Sequence, residues 1–347
     1  MVVGASSTME SHLERREPMV APHKNADAYR NDTTGTLTQS YWEYIRFHPD
    51  GTLMIGCSEL TGRYWDGGVL VGTKPEPGQE ISSSTKKVIT SNSGTADGFF
   101  IENSNKILLC EDSGAVSVWS CADAVWQMWL GEVSVAEHDD AIMAADYLVP
   151  NKEFVTVGAE GDVKVWDISE MVSIRNYKGA HNMAINDVAV QPKSFSTFAT
   201  VSSDQYVSLW NDDTSKPVSD VLKNNCGLRC VKFLDENKLV FGDEAGVLRL
   251  LDIRNPEAAL NSIEFPAPVH RLTIHPESKN IAVACDNKTV TVCDVSEDDK
   301  FKVIYKNRDK HTNYVRGCAW DVADKNILFS VGYDGEMNTH NIADNET

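Results

Sequence analysis

The sequence predicts an all-β fold: seven blades of four antiparallel strands each, a β-propeller whose ring is closed by an N-terminal strand. Three observations carry the prediction. A short strand with period-2 hydrophobicity recurs along the chain, its last large residue spaced 47, 44, 41, 42 and 47 residues from copy to copy. An acidic turn precedes each copy, and prolines and histidines stand at fixed phase before several of them. Repeats of this length imply units that cannot cover their own faces and must stack on neighbours until the ring closes.

The clearest strands are Ala115-Val-Ser-Val-Trp119, Asp162-Val-Lys-Val-Trp166 and Tyr206-Val-Ser-Leu-Trp210. Weaker copies end at Leu251, Cys293 and His340. The penultimate-but-one position is polar in all six (Ser117, Lys164, Ser208, Arg249, Thr291, Asn338). Its neighbours are apolar in the first five, which is the alternation of a strand with one face buried. Pro49, Pro150, Pro192 and Pro276 mark turns between strands, because proline cannot sit in a central one. His138, His181 and His311 lie 28 or 29 residues before an anchor. Residues 44–74 form one further unit, which brings the count to seven. A strand within residues 37–44 is expected to complete the last blade. Residues 1–36 are polar, lack sustained periodicity and read as a mostly disordered tail, leaving 37–344 as the propeller.

These markers resemble the WD40 family. Trp166-Asp167 is a full Trp-Asp dipeptide, while Trp210-Asn211 and Leu251-Asp252 are softened ones. In that family a loop histidine, a strand serine, a turn aspartate and the anchor tryptophan form a hydrogen-bonded structural chain. The resemblance places His181, Ser202, Asp204 and Trp210 in that role, although serine, histidine and aspartate together also suggest a catalytic set. His311 with Asp334 and His340 is a partial copy, and His138 meets Glu160 instead of an aspartate.

Charge narrows the partners. The chain carries 32 basic and 51 acidic residues, a net −19, which disfavours nucleic acid and anionic membranes and suits basic, arginine-rich ligands. No apolar run approaches the ~18 residues of a membrane-crossing helix, and the polar start is not that expected of a secretory signal. Eight scattered cysteines read as small buried hydrophobes in a reducing compartment. No metal-ligand spacing, phosphate-binding loop or dinucleotide fingerprint is present, so no catalytic residue, metal or cofactor is expected. The acidic turns would share one rim of the ring. Asp243, Glu244 and Asp286, which have no histidine partner, are the candidates for meeting a basic substrate.

The segment Ser58-Glu-Leu-Thr-Gly-Arg-Tyr-Trp-Asp-Gly-Gly68 admits two readings. Trp65 lies 16 residues after Pro49, in phase for the first blade's anchor; yet a better strand follows at Gly68-Val-Leu-Val-Gly72, which would make residues 61–67 a protruding loop. Exposed tryptophan and arginine are typical of binding hot spots. Met54 to Trp65 resembles the first blade of the methylosome protein 50 family. Asp112 to Trp119, Glu137 to Asp140, Gly242 to Gly246 and His311 to Arg316 resemble its later blades. The resemblance implies a non-catalytic propeller that binds the amino-terminal barrel of a type II protein arginine methyltransferase in a hetero-octamer, four copies of each. It implies presentation of arginine-rich substrates, histones and spliceosomal Sm proteins, for symmetric dimethylation in cytoplasm and nucleus. It places Arg63 and Trp65, with Tyr64 between them, against the methyltransferase. A competing reading is a substrate receptor of a cullin-type ubiquitin ligase, which rests on Leu251-Asp252-Ile253-Arg254, a degraded form of such receptors' motif.

Overall fold

In the computed structural model, residues 41–58, 67–75, 87–91, 93–121, 128–212, 214, 217, 219–295 and 298–343 are described. They form 27 strands. Blade 1 contains β1 (Tyr41–Phe47), β2 (Thr52–Ser58), β3 (Gly67–Thr73) and β4 (Lys87–Ser91); blade 2 contains β5 (Thr95–Phe100), β6 (Lys106–Glu111), β7 (Ala115–Cys121) and β8 (Trp129–Ala136). Blade 3 is β9 (Ile142–Val149), β10 (Glu153–Gly158), β11 (Val163–Asp167) and β12 (Val172–Tyr177). Blade 4 is β13 (Ile185–Val190), β14 (Thr197–Ser202), β15 (Tyr206–Asn211) and β16 (Ser219–Lys223). Blade 5 is β17 (Leu228–Phe233), β18 (Lys238–Asp243), β19 (Val247–Asp252) and β20 (Asn261–Glu264). Blade 6 is β21 (Val269–Ile274), β22 (Ile281–Cys285), β23 (Val290–Val295) and β24 (Phe301–Asn307); blade 7 is β25 (Val315–Trp320), β26 (Ile327–Gly332) and β27 (Met337–Asn341).

Strands within each blade pair antiparallel in chain order. Packing between blades builds the ring. Each neighbouring pair shares a hydrophobic cluster: Phe154 and Trp166 of blade 3 pack with Leu108, Val116 and Val118 of blade 2. The circle closes where Trp42 and Ile45 of blade 1 meet Phe329 and Val331 of blade 7. Gly317 lets that junction close. A Cβ there would stand 2.9 Å from Tyr44 Cα and 3.1 Å from Ile45 N, so the two inner strands approach through a position only glycine can fill. The result is a seven-bladed β-propeller.

The anchors occupy one register position. Trp119 faces Ile107, Trp166 faces Phe154, Trp210 faces Phe198, Leu251 faces Leu239, Cys293 faces Ile281 and His340 faces Leu328. In blade 1 the same place, opposite Leu53, is held by Gly72. Trp65 therefore is not the first blade's anchor: it precedes β3, and the glycine-flanked strand Gly67–Thr73 supplies the third strand instead.

The expected closing strand falls partly outside the described residues. From Tyr41 onward the chain is β1, the inner strand of blade 1; Tyr44 and Ile45 are fully buried there and pair with Gly56 and Ile55. Residues 37–40 lie outside the described residues, and among the described residues blade 7 has three strands with β27 at its outer edge.

One irregularity repeats seven times. At the start of every inner strand the register to the next strand slips by one residue, a β-bulge. The residues left over are Glu43, Ala96, Met143, Asn186, Arg229, His270 and Arg316.

Candidate functional site

Three blades carry a buried polar chain. His181 is placed on the loop before β13, and its Nδ1 lies 3.0 Å from Asp204 Oδ2 in the turn between β14 and β15. Its Nε2 lies 2.8 Å from Thr200 Oγ1, which also accepts a hydrogen bond from Trp210 Nε1 at 2.8 Å. Burial alone would raise the Asp204 carboxyl; the N–H groups of Asn182 and Tyr206 and the His181 ring overcome that and hold it below the usual range. It is therefore acceptor only, so His181 Nδ1 carries the proton and Nε2 receives one from Thr200. Ser202, expected inside this chain, stands beside it. Its Oγ donates to the Ala184 carbonyl at 2.9 Å and accepts from Asp204 N–H at 3.1 Å, which shapes the turn. The bridging hydroxyl is Thr200, ten residues before the anchor.

Blade 3 has the same arrangement: His138 Nε2 meets Thr156 Oγ1 at 2.7 Å, Trp166 Nε1 donates to that oxygen at 2.8 Å, and His138 Nδ1 meets Glu160. In blade 7 a histidine does the tryptophan's work. Asp334 is held below the usual carboxylate range, against the effect of burial, by His311 and the N–H groups of Thr312 and Glu336. Starting from that acceptor, His311 Nδ1 donates to Asp334 (2.8 Å) and its Nε2 accepts from Ser330 Oγ (2.7 Å). Ser330 accepts from His340 Nε2 (2.7 Å), and His340 Nδ1 accepts from the Tyr305 hydroxyl (2.9 Å). Burial, then the charge of Lys310, lowers the His340 pKa to about 3, so its ring is neutral as this relay requires.

The acidic rim is less free than its sequence suggests. Asp243 is fully buried; Arg249 of the same blade and Asn224 (3.1 Å) bind its carboxylate and do for blade 5 what a histidine does for blade 4. The premise that it faces outward for want of a histidine partner is thereby corrected. Asp286 binds Arg316 at 2.6 Å and Arg229 at 3.4 Å. Glu244 is half exposed, with Arg229 at 3.8 Å. Arg254 folds back on Asp252, with Nε at 2.9 Å and Nη2 at 2.6 Å, a local pair in the turn after β19.

Charged side chains line the channel. Arg46 of blade 1 reaches Asp97 of blade 2 at 2.7 and 3.0 Å, and Arg271 of blade 6 spans the channel to the Ala96 carbonyl at 3.2 Å. Aspartates also stitch neighbours together: Asp146 accepts from Val190 N–H and Asp187 from Val231 N–H, both at 2.9 Å and both in the next blade. Lys232 completes the second contact at 3.2 Å from Asp187. Among the described residues no group of three or more histidine, cysteine or acidic side chains could hold a metal. Six of the eight cysteines are buried. Arg63, Tyr64 and Trp65 lie between β2 and β3, outside the described residues.

Seven blades, anchors in one register and three histidine–hydroxyl–acid chains together define a WD40-repeat propeller. The chain is methylosome protein 50-like: it is 27% identical over 303 residues to Methylosome protein WDR77 of Xenopus laevis, covering 86% of this chain and 88% of that protein. It is also 23% identical over 212 residues to WD repeat-containing protein 37 of Xenopus laevis, across 60% of this chain and 42% of that one. To Nucleoporin Nup37 of Mus musculus it is 23% identical over 198 residues, 55% of this chain and 58% of that one. No family model matches.

Proposed function

We propose that this chain is a non-catalytic adaptor that binds a type II protein arginine methyltransferase and helps bring it arginine-rich substrates. The observation that supports this reading is the similarity to a methylosome protein across 86% of the chain. The net charge of −19 suits basic substrates. Of the acidic rim candidates, Glu244 is the one with an accessible carboxylate to offer them. Among the described residues the hydroxyls that meet a histidine, Thr156, Thr200 and Ser330, are fully buried inside the blades, out of reach of a substrate. Arg63, Tyr64 and Trp65 are the residues proposed to engage the methyltransferase, in a hetero-octamer with four copies of each subunit. Cytoplasm and nucleus are the compartments this role requires.

Purification from native extract tests the reading: a methyltransferase should co-elute at equal stoichiometry, and recovery of a ligase adaptor, or of no partner, would refute it. Trp65→Ala should weaken methyltransferase binding by about 2–4 kcal/mol, the range of interface hot spots. Thermal unfolding of the free chain should barely change, because Gly72 holds the blade 1 anchor place.

A further inference from the structure

Six of the seven bulged residues line one cavity, of about 210 Å³, at the end of the channel where the inner strands start. Its charge is partitioned. Arg229 and His270, with Arg271 one residue further along β21, form one wall, beside an Asp187 already bound by Lys232 and the Val231 N–H; Glu43, which accepts from Ser58 and Tyr333, and Asp112 belong to the other. The basic wall is short of acceptors. Arg229 Nε and Arg271 Nη1 are shut off from solvent without a hydrogen-bond partner, and their nearest carboxylate oxygens, on Glu244 and Asp97, stand at 3.8 and 4.0 Å. Asp97 is already engaged by Arg46, and Asp286 is shared between Arg229 and Arg316. Desolvation, then the charges of Arg316, Arg271 and Arg229, pushes the His270 imidazole far below its ordinary pKa, as expected beside excess positive charge. On the acidic wall, partial desolvation at the cavity, followed by Glu43 and Glu111, raises the Asp112 carboxyl although the residue as a whole is exposed, as expected of a carboxylate that lacks a cation.

Buried guanidinium N–H groups are best satisfied by a carboxylate, which meets them in charge-assisted pairs. A polyanion would be repelled by the net −19 of the chain and by Glu43 and Asp112 directly. The occupant that fits both walls carries both signs. We propose that this channel mouth binds a mixed-charge segment of a partner protein, seating an acidic side chain on Arg229 and Arg271 and a neighbouring lysine or arginine against Glu43 and Asp112. The site is independent of the methyltransferase reading, since it uses no residue between β2 and β3.

The test is fluorescence anisotropy of the full chain at low salt with labelled octapeptides of four classes: mixed-charge, all-acidic, all-basic and neutral. Mixed-charge peptides should bind best. Arg229→Gln should weaken them by about tenfold or more, the loss of one charge-assisted contact, while Arg229→Lys retains part of the binding. Asp112→Asn, on an exposed residue that leaves folding intact, should shift preference from mixed-charge toward all-acidic peptides. Thermal unfolding run in parallel identifies a variant that fails to fold, in which case Asp112→Asn alone decides. Absence of binding above the neutral peptide, equal affinity of folded Arg229→Gln for mixed-charge peptides, or an unchanged preference in Asp112→Asn would overturn the proposal.

Discussion

Thr200 sits between two buried ring nitrogens, receiving one proton and passing on another. Thr200→Val keeps the shape, removes both hydrogen bonds and leaves Trp210 Nε1–H and His181 Nε2 without partners. The expected cost is about 2–6 kcal/mol, as the sum of two unsatisfied buried groups. Ser202→Ala, one turn contact away, should cost only about 1 kcal/mol. Asp204→Ala should fall between, at about 1–3 kcal/mol, with methyltransferase affinity of the folded fraction unchanged. Urea denaturation midpoints of the three variants rank them, and a larger loss from Ser202→Ala than from Thr200→Val would refute the bridging assignment. The histidine, acid and tryptophan of this network were legible because each stands at a fixed distance from the anchor. The hydroxyl was not, because serine and threonine are common in strands. Only the pairing of β14 with β15, in which Thr200 faces Ser208 two residues before Trp210, shows which hydroxyl comes within reach of the indole.

At the scale of elements, the turn between the second and third strands carries the connection from blade to blade. Gly161 has φ of +88°, and a Cβ there would meet the His181 carbonyl oxygen at 2.5 Å; His181 N–H in turn donates to the Gly161 carbonyl at 3.1 Å. The histidine loop of blade 4 thus rests directly on the turn of blade 3. Gly161→Ala should lower stability by more than about 1 kcal/mol, because it combines a left-handed backbone with a displaced loop. Thermal unfolding measures it, and Gly51→Ala, at φ of +88° with open space around it, isolates the backbone share. Strand positions were readable from period-2 alternation, and the acidic turns from their phase. Bulges leave no such trace: an extra residue looks like any other until the ladder around it is seen. For that reason no phase in the sequence marks Arg229, His270 or Arg316 as a bulged position. Asp243 misled for a related reason: Arg249, its partner, sits at the one strand position that is polar in every repeat.

For the molecule as a whole, buried titratable groups set the response to acid. His340 has its pKa lowered to about 3, below the ~6.5 of an unfolded histidine. The unfolded chain therefore binds the extra proton between those values, and stability is complete above about pH 6.5 and declines as pH falls toward 3. His138, lowered by burial, contributes in the same direction. Asp204, Asp243 and Asp334 are held below the carboxylate range, so their share is present above about pH 4 and is lost on further acidification. Stability measured from pH 7 to 4 should fall, and His340→Gln should flatten the slope by up to about 1.4 kcal/mol per pH unit. An unchanged slope would remove His340 from the account. Neighbouring acids repel one another across a chain of net −19, so moderate salt should raise the unfolding temperature of the free protein, read in the same instrument.

The seven bulges separate two jobs that a regular strand would fuse. A residue inside the ladder answers to its neighbours across the sheet and to the cluster beneath it, and a change there is judged first by whether the blade still forms. The bulged residue is left out of that ladder, and its side chain is free to bond elsewhere: Glu43 accepts from Ser58, and Asn186 donates to Ser203 and to the Leu228 carbonyl of the next blade. Six of the blades therefore present at the channel mouth one side chain whose identity the ladder does not dictate, and that set runs from Ala96 to Arg229 without disturbing the common register. A lineage built on this frame can rewrite what the mouth recognises one letter at a time, while the ring that displays those letters stays the same.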